Sequence, residues 1–291
     1  MKTMKLQRTA RAPVKPLLTV IALVITIIYF FPIFWMFSTS IKPPEQVLQI
    51  PPVLLPAQPQ FDSYRVILGL PASTTMQTPI NGARFLANSF IIALSTTLLT
   101  LLMAVPGAYA IARTRIKGRT AYLLFLLTAQ MMPSVLIVIP LFVLFKPLGL
   151  INSYSGVIIA DTALALPFAI IILRTSFLQI PLDLEEAALI DGSSRLQALW
   201  RIVVPLIRPG VIAVAMFSFL TAWGEFVFAV SFLSDVGLQP VSVGIFSFIG
   251  MYTTQWGPLM AFSVMIALPA LIAFLLLQGQ FISGLTTGAV K

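Results

Sequence analysis

Six stretches of this 291-residue chain are each long and apolar enough to cross a bilayer, and nothing else in the sequence constrains the fold as strongly. About 20 mainly apolar residues, rising about 1.5 Å each, cover the roughly 30 Å of a hydrocarbon core. The stretches run from Leu17 to Phe37, Phe85 to Ala112, Ala121 to Phe145, Asn152 to Leu173, Gly210 to Leu233 and Pro258 to Leu277. Lipid offers backbone amides no partners, so such segments fold as helices. The expected class is an all-α integral membrane protein with six transmembrane helices. The first stretch has basic residues before it and small ones after it, like a signal peptide. Its apolar run exceeds the roughly 7–15 residues of a signal-peptide core and reads as a retained span.

Basic residues orient the spans. Of eighteen Lys and Arg, fourteen fall in residues 1–16, 113–120, 174–209 and at Lys291, leaving Lys42, Arg65, Arg84 and Lys146 on the other side. The positive-inside rule puts both termini in the cytoplasm. The formal charge of +9 is thus a topology signal and predicts no nucleic-acid partner. The organisation reads as a basic cytoplasmic N-terminus (1–16), a first helix (17–37), an external loop (38–84), a five-helix core (85–277) holding the cytoplasmic loop 174–209, and a cytoplasmic tail (278–291). Phe61 to Leu68 in the external loop reads as a short amphipathic surface helix.

The chain has neither His nor Cys. That removes an imidazole base, a thiol nucleophile, disulfides and the usual zinc sites. No cluster of acid, base and nucleophile can be assembled from the loops, so no enzyme and no metal site is expected. Pro32, Pro106, Pro133, Pro140, Pro167 and Pro269 lie inside the spans, where each deletes a backbone hydrogen bond. Met131, Met132, Pro133 and Pro140, with Pro167, are candidates for lining a path whose walls rearrange. Ala104, Ala108 and Ala112 form a small-residue stripe suited to close helix approach.

The loop 174–209 carries more information than a basic linker. Asp183 with Glu186 has capping-box spacing, Asp191-Gly192 breaks the first short helix, and Ser194 with Gln197 opens a second. Leu196, Leu199, Trp200 and Val203 are expected on one face until Pro205 ends it. Such a compact, right-angled amphipathic element suits a groove in another protein.

Glu186-Ala187-Ala188, then Gly192, Ile202 and Pro205 at fixed intervals, resembles the EAA signature of binding-protein-dependent ABC importer permeases, with Val204 in place of the usual Leu. Ala222-Trp223-Gly224-Glu225-Phe226, Phe85-Leu-Ala-Asn88-Ser89 and the ending Gly284 to Lys291 are similar to the carbohydrate branch, in particular the smaller permease of maltose- and trehalose-type systems. Gly224 departs from that branch's Asn. The resemblance implies a type I importer permease fold in a prokaryotic inner membrane. It implies that Glu186, Ala187, Ala188, Asp191, Gly192, Ile202 and Pro205 couple to an ATPase dimer that binds ATP and Mg. It further implies a second homologous permease and an extracytoplasmic solute-binding protein, with Tyr252, Gln255 and Trp256 candidates for receiving the latter.

The chain has no phosphate cradle of its own, so ATP must be hydrolysed by a partner. By chemistry and depth, Gln130, Ser134, Thr162, Ser218, Thr221, Trp223 and Glu225 are candidates for the sugar path. The alternative class is an ion-coupled secondary transporter using the intramembrane carboxylates Asp161 and Glu225.

Overall fold

The computed structural model describes residues 16–71, 81–114, 117–250 and 254–286, with side chains to residue 275. The basic N-terminus, Tyr252 and the final residues of the tail lie outside the described residues. The outer part begins with α1 (Pro16–Ser40), α2 (Pro44–Val47) and α3 (Asp62–Ile67). The core follows as α4 (Gly82–Arg113), α5 (Arg119–Gln130), α6 (Ser134–Phe145) and α7 (Tyr154–Leu178). Beyond it lie α8 (Asp183–Ile190) and α9 (Arg195–Ala198), the latter running through a π-helical turn, Leu199–Val203, into α10 (Val204–Leu206). The chain ends with α11 (Arg208–Gly224), α12 (Val227–Phe232), α13 (Val241–Gly244) and α14 (Trp256–Thr286).

Among the described residues, α1, α4, α7 and α14 are unbroken helices long and apolar enough to cross a membrane, and six crossings result if two bent pairs count as one each. The bends correct the simplest sequence reading. The expected third span, 121–145, is α5 and α6 meeting at 99°. Pro133 has no N–H to continue α5, and the residue before a proline is pushed out of helical geometry. Pro140, by contrast, sits inside α6, and Pro106 and Pro167 sit inside α4 and α7. The second bent pair is residues 195–206 with α11, meeting at 83°; the expected fifth span, 210–233, is α11 and α12, interrupted at Glu225 and Phe226. The sixth continues past Leu277, so the tail begins as helix.

The inner half of the bundle is packed by Ala104, Ala108, Ala169, Leu173, Phe177 and Val214. Of the small-residue stripe, Ala104 and Ala108 are fully buried and Ala112 is half-buried, all three in the cluster where α4 packs with α7 and α11. Close approach matters because lipid is as apolar as the side chains, and tight contact replaces the hydrophobic effect as the cohesive term. Two outer clusters complete the core, one around Phe85, Trp223, Phe248 and Phe262 and one around Phe145, Val157, Phe228 and Phe232. The expected surface helix at 61–68 exists as α3, yet its Ile67 is fully buried. Helix α1 is exposed along its apolar length and buries only its outer end, Ser38 to Ser40. There Lys42 lies 3.9 Å above the Trp35 ring, and burial pushes its ammonium down from its ordinary value.

Candidate coupling element and translocation path

Helix α8 starts on the carbonyl of Leu182, which accepts from the amides of Glu185 and Glu186. Asp183 is therefore not the N-cap its spacing indicated; no side chain caps this end. Asp183, Glu185 and Glu186 instead fill the first turn, where negative charge favours the positive end of the helix. The helix stops as expected at Asp191-Gly192. Gly192 has φ +87°, its amide donates to Leu189 at 3.1 Å, and that of Ser193 donates to Ala188 at 2.9 Å. This paired closure satisfies two terminal carbonyls and needs a left-handed residue at the second position. Ser194 and Gln197 then form the predicted capping box, with bonds of 3.3 and 2.8 Å.

Pro205 does not end the second helix. It lies in α10, the last turn of the continuous helix 195–206, and the chain turns at Ile207, 83° into α11. The residues expected on one face are split: Leu199 and Val203 are buried against the bundle, while Leu196 and Trp200 face outward. With Glu186, Ala187, Ile190, Asp191 and Gly192 also exposed, the signature residues and an apolar patch share the outer surface. Ile190 is 86% exposed. Ala188 is buried and Ile202 half-buried.

Sequence reasoning passed over Glu185. Its two oxygens turn inward, one accepting from Nε of Arg113 and the other from the hydroxyl of Tyr109, each at 2.7 Å. Arg113 Nη2 also donates to the carbonyl of Ile180 at 2.8 Å. The pair's side chains are only 10% and 8% exposed. The available signal was the three-residue spacing of Glu185 and Ala188, which puts both on the face opposite Glu186.

The path candidates do not converge on one cavity. Gln130 is exposed and Ser134 half-buried, either side of the α5–α6 bend. Thr162 is buried and donates to Ile158, Ser218 is buried, and Thr221 is half-buried. Trp223 is packing: its Nε1 donates to Ile266 at 3.2 Å and its ring stacks on Phe219. The carboxylate of Glu225 accepts from the amides of Phe228 and Ala229 at 3.0 to 3.2 Å and so starts α12. Asp161 is buried close enough to Glu225 for the two to interact electrostatically, and among the described residues neither of its oxygens has a hydrogen-bond partner. A cleft of about 580 Å³ between α4, α11 and α14 is lined by Phe90, Phe219, Met265 and Leu268. Its one polar residue, Thr97, donates its hydroxyl proton to the carbonyl of Ala93, so the cleft is almost wholly apolar.

On the outer side the segment after α12 is tied to the core. Asn88 donates to the carbonyls of Gly237 and Gln239 at 3.0 and 2.8 Å and accepts from Tyr154 at 2.7 Å. The Val241 amide donates to Ser89, and Ser242 to the Glu225 carbonyl. Gln255 is half-buried with its amide bonded to Phe248, and Trp256 is exposed beside it.

Long apolar helices, two bent helix pairs and an exposed helical element between α7 and α11 are the form of a multi-pass membrane protein. Residues 101–282 match the binding-protein-dependent transport system inner membrane component family, and the chain belongs to it. It is 32% identical over 286 residues to the diacetylchitobiose uptake system permease protein DasC of Streptomyces coelicolor, covering 98% of this chain and 100% of that one. It is 37% identical over 276 residues to the trehalose/maltose transport system permease protein MalG of Thermococcus litoralis, covering 94% and 96%. The fold matches a crystal structure of a bacterial ABC transporter involved in import of the acidic polysaccharide alginate, with TM-score 0.75, 24% identity and coverage of 91% of this chain and 95% of that one. The chain is a multi-pass inner-membrane permease subunit of the ABC importer class, a translocating component and not an enzyme.

Proposed function

We propose that this subunit forms half of the translocation path for a carbohydrate, an oligosaccharide, disaccharide or glycoside, imported at the expense of ATP. The observation that carries the reading is the outer face of the coupling element, where Glu186, Ala187, Asp191 and Gly192 stand exposed beside Ile190, Leu196 and Trp200. An apolar patch rimmed by charge at a cytoplasmic surface is the form of a docking site. Its occupant is an ATPase dimer, which supplies bound ATP and Mg. A second homologous permease completes the path, and a solute-binding protein delivers the sugar to the outer surface near Gln255 and Trp256.

Carbohydrate as cargo is supported by the relatives, whose names include diacetylchitobiose, trehalose/maltose and sulfoquinovosyl glycerol systems. ATP drive is favoured over ion coupling because Glu225 is engaged as a helix cap. The test is uptake of those four compounds by vesicles holding the complete transporter and its binding protein. At least one is expected to enter with ATP and no ion gradient, and Glu186→Lys is expected to abolish that uptake. Uptake that needs an ion gradient and proceeds without ATP refutes the reading.

A further inference from the structure

We propose that Glu185 is a positioning residue of the transport cycle, joining α8, the turn before it and the inner end of α4 into one moving body. The inference rests on the reading that α8 docks on an ATPase, and adds how a displacement of α8 enters the bundle. Adjacent glutamates divide the work. Glu186 faces out, while both oxygens of Glu185 are taken by α4 and neither is left for a partner protein.

The bonds join segments 72 and 76 residues apart in sequence. Arg113 spans two of them, with Nε and Nη2 on Glu185 and Nη2 also on the Ile180 carbonyl between α7 and α8. A planar guanidinium can hold such a fork; a lysine ammonium cannot. Because the pair is buried, its attraction is little screened by water or salt. Tyr109 adds an edge-on contact with Phe177, whose ring centroid is 5.5 Å away at the inner end of α7. Helix α4 then runs 32 residues, about 48 Å at about 1.5 Å per residue, to the outer side. There its Asn88 holds Gly237 and Gln239. One helix thus links the coupling element to the outer segment, and Glu185 is where the coupling element grips it.

The chain contains no cysteine, so spin labels can be placed at chosen sites in this subunit without background from it. Labels on exposed Thr114 and Asp183 report the joint; labels on Asp183 and Ile272 of α14 report movement of α8 against the bundle. In the complete transporter, trapping with ATP and vanadate is expected to shift the second distance and leave the first narrow and unchanged. Glu185→Gln is expected to widen the first distribution about two-fold and make it respond to trapping, as for a linkage with its restraint removed. Tyr109→Phe, which deletes one bond and keeps the ion pair, gives a smaller widening in a folded protein. If the second distance does not move in the unsubstituted chain, the docking reading fails. If it moves but the first distance stays narrow in both variants, or already varies without substitution, the joint is overturned.

Discussion

Replacing Glu225 separates its capping role from an ion-carrying one. In Glu225→Ala the amides of Phe228 and Ala229 lose the carboxylate that accepts them at 3.0 to 3.2 Å, at the break where α11 gives way to α12. An N-cap is worth about 1 kcal/mol and a hydrogen bond to a charged group about 1.5–3 kcal/mol, so the loss is about 2 kcal/mol. At about 1.4 kcal/mol per tenfold, opening of α12 becomes roughly 30-fold more frequent. Glu225→Gln keeps one acceptor oxygen, halving the loss to about 1 kcal/mol and an increase of about five-fold. Hydrogen exchange across residues 227–232 of the assembled transporter reads these factors directly, since local opening sets the rate. Uptake driven by ATP should survive Glu225→Gln, because a cap needs an oxygen and an ion carrier needs a titrating carboxylate. Unchanged exchange in Glu225→Ala refutes the capping account. Loss of uptake in a correctly assembled Glu225→Gln complex refutes the claim that the carboxylate is structural.

Three further outcomes are expected. Gly156→Ala drives a methyl into the carbonyl of Leu150 in the turn entering α7, and should cost about 1–3 kcal/mol, seen as a lower midpoint of thermal aggregation in detergent. Gly192→Ala meets nothing in space, but its φ of +87° costs an L-residue about 1–2 kcal/mol; less ATPase should co-purify, with Gly192→Asn milder. Trp200→Ala removes an exposed ring, and should change thermal stability by less than about 0.5 kcal/mol while weakening retention of the ATPase subunits.

The caps of the helical element at 183–206 were partly legible because their signals are local. The Ser194 and Gln197 box and the Gly192 stop act within a few residues, and both appear as predicted. The Asp183 cap failed because the turn after Pro181 let the Leu182 carbonyl take the first amides. Leu196 and Trp200, four residues apart, face outward and Leu199 and Val203, also four apart, face the bundle, so the apolar stripe counted from the sequence is wider than the strip that the bundle buries. Trp223 and Glu225 are sugar-path candidates because sugar sites combine hydrogen-bonding groups with aromatic faces; in the structure Trp223 packs against Phe219 and Glu225 caps α12, contacts that no local sequence pattern shows.

The sequence by itself determined the class, and it carries the charge asymmetry that predicts the orientation and the spaced signature between the fourth and fifth spans. Span length, the placement of basic residues and a spaced motif are properties of the chain that no packing can reverse. Only the tertiary structure decided which side of each span faces protein, where the third and fifth crossings break, and that Glu185 rather than Glu186 holds α4. The reason is the solvent. In water a buried face announces itself by being apolar, but in lipid both faces are, so helix periodicity carries little information about contact. What distinguishes the faces is small residues and a few long-range polar bonds, such as Asn88 to Gly237 and Arg113 to Glu185, whose partners become visible only once the chain has folded.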